Sequence, residues 1–568
     1  MIIASDQELS FWGGVDPRTG TVIDQHHPLC GQVLTGTVLA IPGGRGSCSG
    51  SGVMLELLLN GKGPAALLLE RADDILTLGV VVAEAVFGQS IPVVTLAPED
   101  FQQVRVANRA RVSGNLVAYA GKHGALADLP ASTCAPAAKE TGIQLSDRDQ
   151  ALLEGAHGRA ARVAMEILLR MAALQGAREL VDVTRVHVDG CLYTGPGGLQ
   201  FAQQLRDWGG QVAVPTTLNA ISVDYRHWRT QGMDPTFGEP ASQLADAYAS
   251  MGAMPTFTCA PYQLDEPPAH GEQIAWAESN AVIYANSVLG ARTLKYPDYL
   301  DICVALTGRA PLAGCHSAEH RRAQVRIRLP TMTGLDDAFY PLLGHHVGML
   351  AGDRVPLVTG LERAEPSADD LKAFSAAFAT TASTPMFHML GVTPEAITLE
   401  QVLSGLDAIP TVNVTPAELR ASWANLDSAT HATVDLVSLG NPHFSFQECE
   451  RLATLVRDRT KHQDMKVVVT CGRNTHDRAR RAGLVRELEA FGVEFVTDTC
   501  WCMIIEPLIP PAAVTIMTNS AKYAHYGPGL TGRAFRFGSL DDCVEAACTG
   551  QADHDLPPWL APSRENRV

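Results

Sequence analysis

The sequence predicts an α/β protein in two unequal parts. Short β-rich apolar runs alternate with helical stretches over residues 1–130. The alternation lapses in a stretch rich in Pro, Ala, Ser and Thr, then restarts behind a helix-capping signature at Ser146. Gly31 to Pro42 (GQVLTGTVLAIP) is the first strand-like run, and the glycine/serine loop Gly43 to Gly52 (GGRGSCSGSG) follows it. The spacing predicts a helix over Val53 to Leu59, because Asn60-Gly61 supplies a left-handed stop. A buried strand at Ala65 to Leu69, a helix near Ile75 to Phe87 and a strand at Val93 to Leu96 complete a small unit, placed at residues 1–130. Residues 131–145 read as a linker. Ser146 then caps a helix with Asp149 three residues on, and Leu152, Leu153, Ala156, Ala160, Val163, Ala164, Ile167, Leu168 and Met171 share its apolar face. Strand-like runs recur at Leu180 to Val188, Val212 to Val214, Thr433 to Leu439, Lys466 to Thr470 and Val493 to Thr497, with a helix at Gly483 to Phe491. Residues 146–568 therefore read as a larger α/β body.

Lys plus Arg number 44 against 61 Asp plus Glu, for a formal net charge of −17, and no five-residue basic run occurs. A phosphate-tracking surface, and with it a nucleic-acid partner, is disfavoured. The most apolar stretch, Val80 to Phe87, is short and carries Glu84, so a membrane span is not expected. Met1 to Trp12 has Asp6 and Glu8 and no basic n-region, which predicts a cytoplasmic protein. Thirteen cysteines, an odd number without an export signal, are expected as reduced thiols, available as core residues or metal ligands.

Three groups of residues are candidates to carry chemistry. The loop GGRGSCSGSG brings backbone N–H groups and the hydroxyls of Ser47, Ser49 and Ser51 together before a helix, and it matches neither a Walker A loop nor a dinucleotide fingerprint. Cys259 in PTFTCAPY and Cys500 in TDTCWC sit where loops follow strands, and no CxxC pair or zinc-finger spacing is present. Three distant thiolates converging on iron remain compatible with that pattern, as does a thiol- or zinc-dependent hydrolase using Cys259 or Cys500 with His443. The polar loops PTTLNAISVD, ESNAVIYANSVLGART, GNPHFS and TNSAKYAHY add donors, with Lys522 suited to a substrate carboxylate and Tyr523 and Tyr526 beside it. His26-His27 and His345-His346 are adjacent pairs whose side chains diverge, so neither makes a metal site alone.

Taken together, FWGGVDPRTGTVID, GRGSCSGSG, PTTLNAISVD, TCAPY, NSVLGART, LTGRAP, TDTC and TNSAKYAHY, in this order, resemble the aconitase X family in its fused single-chain form. The resemblance implies a small swivelling β/α domain fused to a large aconitase-like α/β/α catalytic body. It implies a hydro-lyase on a small-molecule substrate, a single chain expected to be a monomer, and an iron–sulfur centre on three cysteines. The centre is read as [2Fe-2S], with mononuclear iron and [3Fe-4S] as alternatives. Fused bacterial members are associated with dehydration of cis-3-hydroxy-L-proline to Δ1-pyrroline-2-carboxylate, and two-subunit archaeal members with mevalonate 5-phosphate. Carried onto this sequence, the resemblance assigns Cys259, Cys500 and, as third ligand, Cys303 before LTGRAP, with Cys315, Cys502 and Cys48 behind it. Ser47 is the base for the α-proton, Ser51 its reserve, and Arg45 a cation to stabilise the alkoxide. Lys522, Thr216, Thr217, Asn219 and Tyr523 are the expected substrate-binding groups. With Arg45 the loop's lone cation, an amino acid is favoured over a phosphorylated substrate unless Arg292, Arg309 and Lys522 assemble in space.

Overall fold

Strands that read as unbroken apolar runs need cover on both faces, which parallel strands joined by helices provide. In the computed structural model the runs VLAI and ALLL, Val38–Ile41 and Ala66–Leu69, are buried at every residue. With Ile2–Ala4 and Val93–Thr95 they form a parallel sheet in the order Ile2–Ala4, Val38–Ile41, Ala66–Leu69, Val93–Thr95, closed by the antiparallel Ser132–Thr133. The structure describes all residues except 25–26, 114–115, 122–126, 134–137, 139–140, 404–407 and 563–568. His26 and part of the expected linker thus lie outside the described residues.

The helix after the glycine/serine loop begins at Gly50, three residues earlier than the apolar pattern suggests, and ends at Leu59 with Gly61 in the left-handed region, φ +64°. It packs on Asp74–Phe87 at close range: a Cβ on Gly79 would lie 2.6 Å from the Ser51 carbonyl oxygen. That second helix is capped by Asp73, which accepts the Leu76 N–H at 2.7 Å.

The capping box of Ser146 and Asp149 is present, but its helix stops at Leu153 and a second one runs from Arg159 to Leu174. Gly155 and Gly158, at φ +87° and +91°, break the stretch that reads as one helix. The run Leu180 to Val188 also divides. Leu180–Asp182 pairs antiparallel with Arg309–Pro311, whereas Val186–Val188 lies between Thr216–Leu218 and Ala275–Trp276 in a parallel sheet. The strand expected at Val212 to Val214 forms instead at Thr216–Leu218, where backbone partners exist on Val186–Val188.

Two further parallel sheets complete the body. One has the order His388–Met389, Pro356–Thr359, Val325–Arg328, Thr411–Asn413, and the other Val493–Thr497, Lys466–Cys471, Leu436–Leu439, Thr515–Thr518, Ala534–Phe537. The chain is thus a mixed α/β protein with parallel sheets, in a small unit and a larger body. One apolar core runs through both, from Leu55 and Val81 of the small unit to Ile167 and Val304 of the body. No described helix is long and apolar enough to cross a membrane.

Phe339–Ala351 and Ala368–Thr381 cross at Gly344 and Gly348, whose added Cβ atoms would collide with the Phe374 carbonyl oxygen and the Thr381 hydroxyl. Gly344→Ala is expected to cost about 1–3 kcal/mol by overpacking. Thermal unfolding at fixed scan rate checks this, and an unchanged midpoint would contradict the close crossing.

Candidate active site

Loops beyond the carboxyl ends of parallel strands gather on one side of their sheets, where ligands bind. Asp189 follows Val186–Val188, Asn219 follows Thr216–Leu218, Glu278 lies two residues after Ala275–Trp276, Cys500 follows Val493–Thr497, and Lys522 lies beyond Thr515–Thr518. All five line one cavity, together with Ser47 and Ser49 of the small unit and Trp12, Cys259, Ser279, Cys502 and Tyr526.

The glycine/serine loop is fastened to the body from several sides. Lys295 Nζ donates to the Gly46 carbonyl at 3.0 Å, the Asp298 N–H to the Cys48 carbonyl at 3.3 Å, and Cys48 Sγ lies 3.6 Å from Ser279 Oγ. Further along, in the helix that follows the loop, the Glu56 carboxylate accepts the Gly197 N–H at 2.7 Å. Gly46, at φ +86°, permits the turn that brings Ser47 into the cavity. Ser47 Oγ is 3.3 Å from Ser49 Oγ and accepts the Ser49 N–H, also at 3.3 Å. Ser51 is displaced from the expected role: the early helix start puts it inside the helix, with its hydroxyl donating to the Cys48 carbonyl at 3.1 Å. Arg45 points to the other side of the loop, where it pairs with Asp24 at 3.0 Å and donates to the Glu8 carbonyl at 3.1 Å. It borders a second cavity, with Arg71 and Asp73, and not the one holding Ser47.

Another part of the lining carries three thiols, each with an N–H donor. The His443 N–H donates to Cys259 Sγ at 3.3 Å, the Cys502 N–H to Cys500 Sγ at 3.5 Å, and Asn441 Nδ2 to Cys502 Sγ at 3.5 Å. Cys259 beside it, then burial, push the Cys500 thiol up to about 12; Cys500 and burial likewise raise Cys502 well above the usual thiol range. Cys500 and Cys502 stay protonated until positive charge arrives, and the sulfur chemistry of the three thiols with their N–H donors fits thiolate-bound iron. Among the described residues no three Cys, His, Asp or Glu side chains converge closely enough to hold a lone ion.

Cys303 is not brought to this part of the lining. It lies in Leu300–Thr307, a helix buried at every residue that packs against Arg159–Leu174, and burial, with the Asp301 carboxyl adding to it, drives its thiol far up. Cys315 packs with Val355 and Met386 and Cys48 faces Ser279, whereas Cys502 lines the cavity with Cys259 and Cys500. Cys303→Ala should leave metal content unchanged, which iron analysis of the variant beside wild type checks. The imidazole of His443 is also unavailable to a thiol, since its nitrogens lie 3.2 Å from Thr258 Oγ1 and 2.8 Å from the Thr499 carbonyl. That removes the geometry a Cys/His hydrolase needs.

Charge lines the remaining wall. Lys522 Nζ donates to Glu278 Oε1 at 3.0 Å, and Glu278 also accepts from Asn280 Nδ2 at 2.5 Å and Asn219 Nδ2 at 3.2 Å. Burial raises Glu278, but the Lys522 ammonium and these hydrogen bonds outweigh it and hold the carboxyl below its usual range. Asp189, bonded to Asn219, is pushed well up by burial and by the nearby Asp298 and Glu278.

Of the other expected binding groups, Asn219 lines the cavity but Thr216 and Thr217 do not. Both lie within the strand, where Thr216 Oγ1 donates to the Val214 carbonyl at 2.8 Å and Thr217 Oγ1 meets His187 Nδ1 at 2.8 Å. Tyr523 is turned away from Lys522 by the helix and packs on Trp501 and Phe535. Tyr526, one turn beyond Lys522, borders the cavity instead. Arg292 and Arg309 do not assemble there, as Arg292 donates to the His316 carbonyl at 3.0 Å and Arg309 pairs with Asp149 at 2.8 Å. His345 and His346 are buried apart from it, against His525 and Ser422.

A cavity with serines from one unit facing thiols and a buried Lys–Glu pair from another is the site of an enzyme. Family models described as aconitase X swivel, first, second and third domains match residues 1–119, 142–319, 323–424 and 434–549. Cis-3-hydroxy-L-proline dehydratase of Hypocrea jecorina is 58% identical over 565 residues, covering 99% of this chain and 95% of the relative. The protein of that name from Pseudomonas aeruginosa is 55% identical, covering 97% and 95%. The phosphomevalonate dehydratase large subunit of Methanothermobacter thermautotrophicus is 34% identical over 69% of this chain and 95% of its own. The crystal structure of Thermococcus kodakaraensis aconitase X in its holo-form superposes with TM-score 0.65 at 29% identity, covering 71% of this chain and 100% of that one. The chain belongs to the aconitase X family, and it is a hydro-lyase.

Proposed function

We propose that this protein dehydrates cis-3-hydroxy-L-proline to Δ1-pyrroline-2-carboxylate. The observation that carries this reading is identity of 58% and 55%, at 95% coverage of each relative, to two proteins named for that reaction. The charge of the site supports it. Among the described residues lining the cavity, Lys522 is the one Lys or Arg, and it is already paired with Glu278. A phosphate would find no second cation there. An amino acid matches the pair as it stands, its carboxylate toward Lys522 and its ammonium toward Glu278.

The residues divide the work as follows. Ser47 takes the α-proton, with the Ser49 N–H stabilising charge on its oxygen. Lys522 and Asn219 orient the substrate's carboxylate side, and Trp12 and Tyr526 narrow the cavity around it. Cys259, Cys500 and Cys502 would hold an iron–sulfur group, in our reading [2Fe-2S], with [3Fe-4S] as the alternative; the lone iron the sequence also allowed is disfavoured, since the described side chains do not converge on one ion. When bound, that group supplies Lewis acidity toward the leaving hydroxyl. The swivel unit of residues 1–130 and the body from residue 146 are carried on one chain, so we read the protein as a monomer, working in the cytoplasm.

The test is a comparison of kcat/KM for cis-3-hydroxy-L-proline and mevalonate 5-phosphate, with product identified in each case. The hydroxyproline should be preferred by about 100-fold or more. Preference for the phosphate ester, or turnover of neither, would overturn the reading.

A further inference from the structure

A run of polar groups leads from Ser47 into the body. The Ser49 hydroxyl lies 3.3 Å from Ser47 Oγ, and Asp298, whose N–H holds the Cys48 carbonyl at 3.3 Å, neighbours both Ser49 and the Asp189 carboxyl. Asp298 is 3% exposed and its Oδ1 is buried with no hydrogen-bond partner; Asp189 is 1% exposed and opens on the cavity. Behind them Asp301 accepts four backbone N–H groups, from Asp189 at 2.7 Å, Gly190 at 3.1 Å, Tyr299 at 3.0 Å and Ile302 at 2.6 Å.

Two neighbouring carboxyls out of water do not both ionise. Asp301, with its four donors, is built to carry charge, and with Glu278 it leaves the Asp298–Asp189 pair facing negative groups. Burial and those neighbours raise both members. The pair therefore holds one proton and one negative charge.

We propose that Ser49, Asp298 and Asp189 form a proton relay that drains the Ser47 hydroxyl as Ser47 accepts the substrate's α-proton. The relay rests on the dehydratase reading. The Ser47 proton passes to Ser49 Oγ and the Ser49 proton to Asp298, while the α-proton takes the vacated place on Ser47. The electrons of the C–H bond become the new carbon–carbon double bond, and the C–O bond breaks with its electrons on the hydroxide. The pair, now doubly protonated, releases one proton from Asp189 into the cavity, where it joins the hydroxide as water. Ser47 and the pair are left as they began, and the enamine tautomerises to the cyclic imine. No free alkoxide is formed.

The experiment combines infrared spectra of the resting full-length protein with steady-state kinetics of wild type, Ser49→Ala, Ser49→Thr and Asp298→Asn. Wild type should show a protonated-carboxyl stretch that shifts in D2O and is lost in Asp298→Asn. Ser49→Ala and Asp298→Asn should lower kcat about 100-fold with KM changed by less than about threefold, and Ser49→Thr, which keeps a hydroxyl, should recover to within about tenfold of wild type. Absence of the band from wild type, or a Ser49→Ala rate near wild type, would overturn the relay. Wild type inactive on cis-3-hydroxy-L-proline would contradict the substrate reading, while the band still decides whether the two carboxyls share a proton.

Discussion

Ser47→Ala is expected to lower kcat by about 10²–10⁴-fold, the range that a positioned general base supplies, while iron content stays at the wild-type level. Ser47 is the residue of the glycine/serine loop whose hydroxyl both borders the cavity and receives a backbone N–H, from Ser49 at 3.3 Å. Its replacement removes one oxygen from an edge that Lys295, Asp298 and Ser279 hold in place through Gly46 and Cys48, so the loop should stay docked. Ser51→Ala is the matched comparison. Its hydroxyl serves the helix by bonding the Cys48 carbonyl, and its loss should cost about 1 kcal/mol of stability with little effect on kcat. Equal loss of activity in both variants would show that loop packing, and not a base at Ser47, sets the rate.

Cys500→Ser is expected to strip the protein of its metal centre and its activity together. Cys500 stands between the other two thiols, touching Cys259 on one side and Cys502 on the other. A serine there is a far weaker ligand for iron at neutral pH, because its hydroxyl holds its proton much more firmly than a thiol does. Cys502→Ser should behave in the same way, whereas Cys303→Ala should keep iron, sulfide and colour. The three variants, read by metal analysis and visible spectrum, separate ligands from core cysteines without reference to turnover.

Much of the frame was legible because it depends on local pattern. Alternating strands and helices, the Ser146–Asp149 capping box and the Asn60-Gly61 stop all rest on residues within a few positions of one another. The site was legible where a residue lies just past a strand end, as with Asn219 and Cys500, or in a loop that only glycine permits, as with Ser47. It was lost where helical phase decides which side a residue faces. Tyr523 and Tyr526 are equal in sequence, but Lys522 and Tyr526 share a face and Tyr523 enters the core. Thr216 and Thr217 fail for the related reason that a strand interior spends its side chains on neighbouring strands.

Long-range encounters left the weakest trace. Glu278 meets Lys522 across 244 residues, and the Asp189 N–H meets Asp301 across 112, so no window of sequence shows either. Cys303 stands just before LTGRAP in the sequence, yet a helix buried on all sides keeps that thiol out of the cavity. The Cys-Trp-Cys spacing at 500–502 was the usable signal. It puts both sulfurs beside one loop, with the intervening Trp501 anchored in the core by a 2.7 Å bond to the Leu439 carbonyl.

The most direct test of the account is made on one sample: protein purified without oxygen, assayed for iron and sulfide, and then for formation of Δ1-pyrroline-2-carboxylate before and after the metal is removed by chelation. The account predicts iron and sulfide in the isolated protein, turnover of cis-3-hydroxy-L-proline, and loss of that turnover with the metal. Full activity in protein freed of iron would contradict it, since the three thiols would then have no part in expelling the hydroxyl.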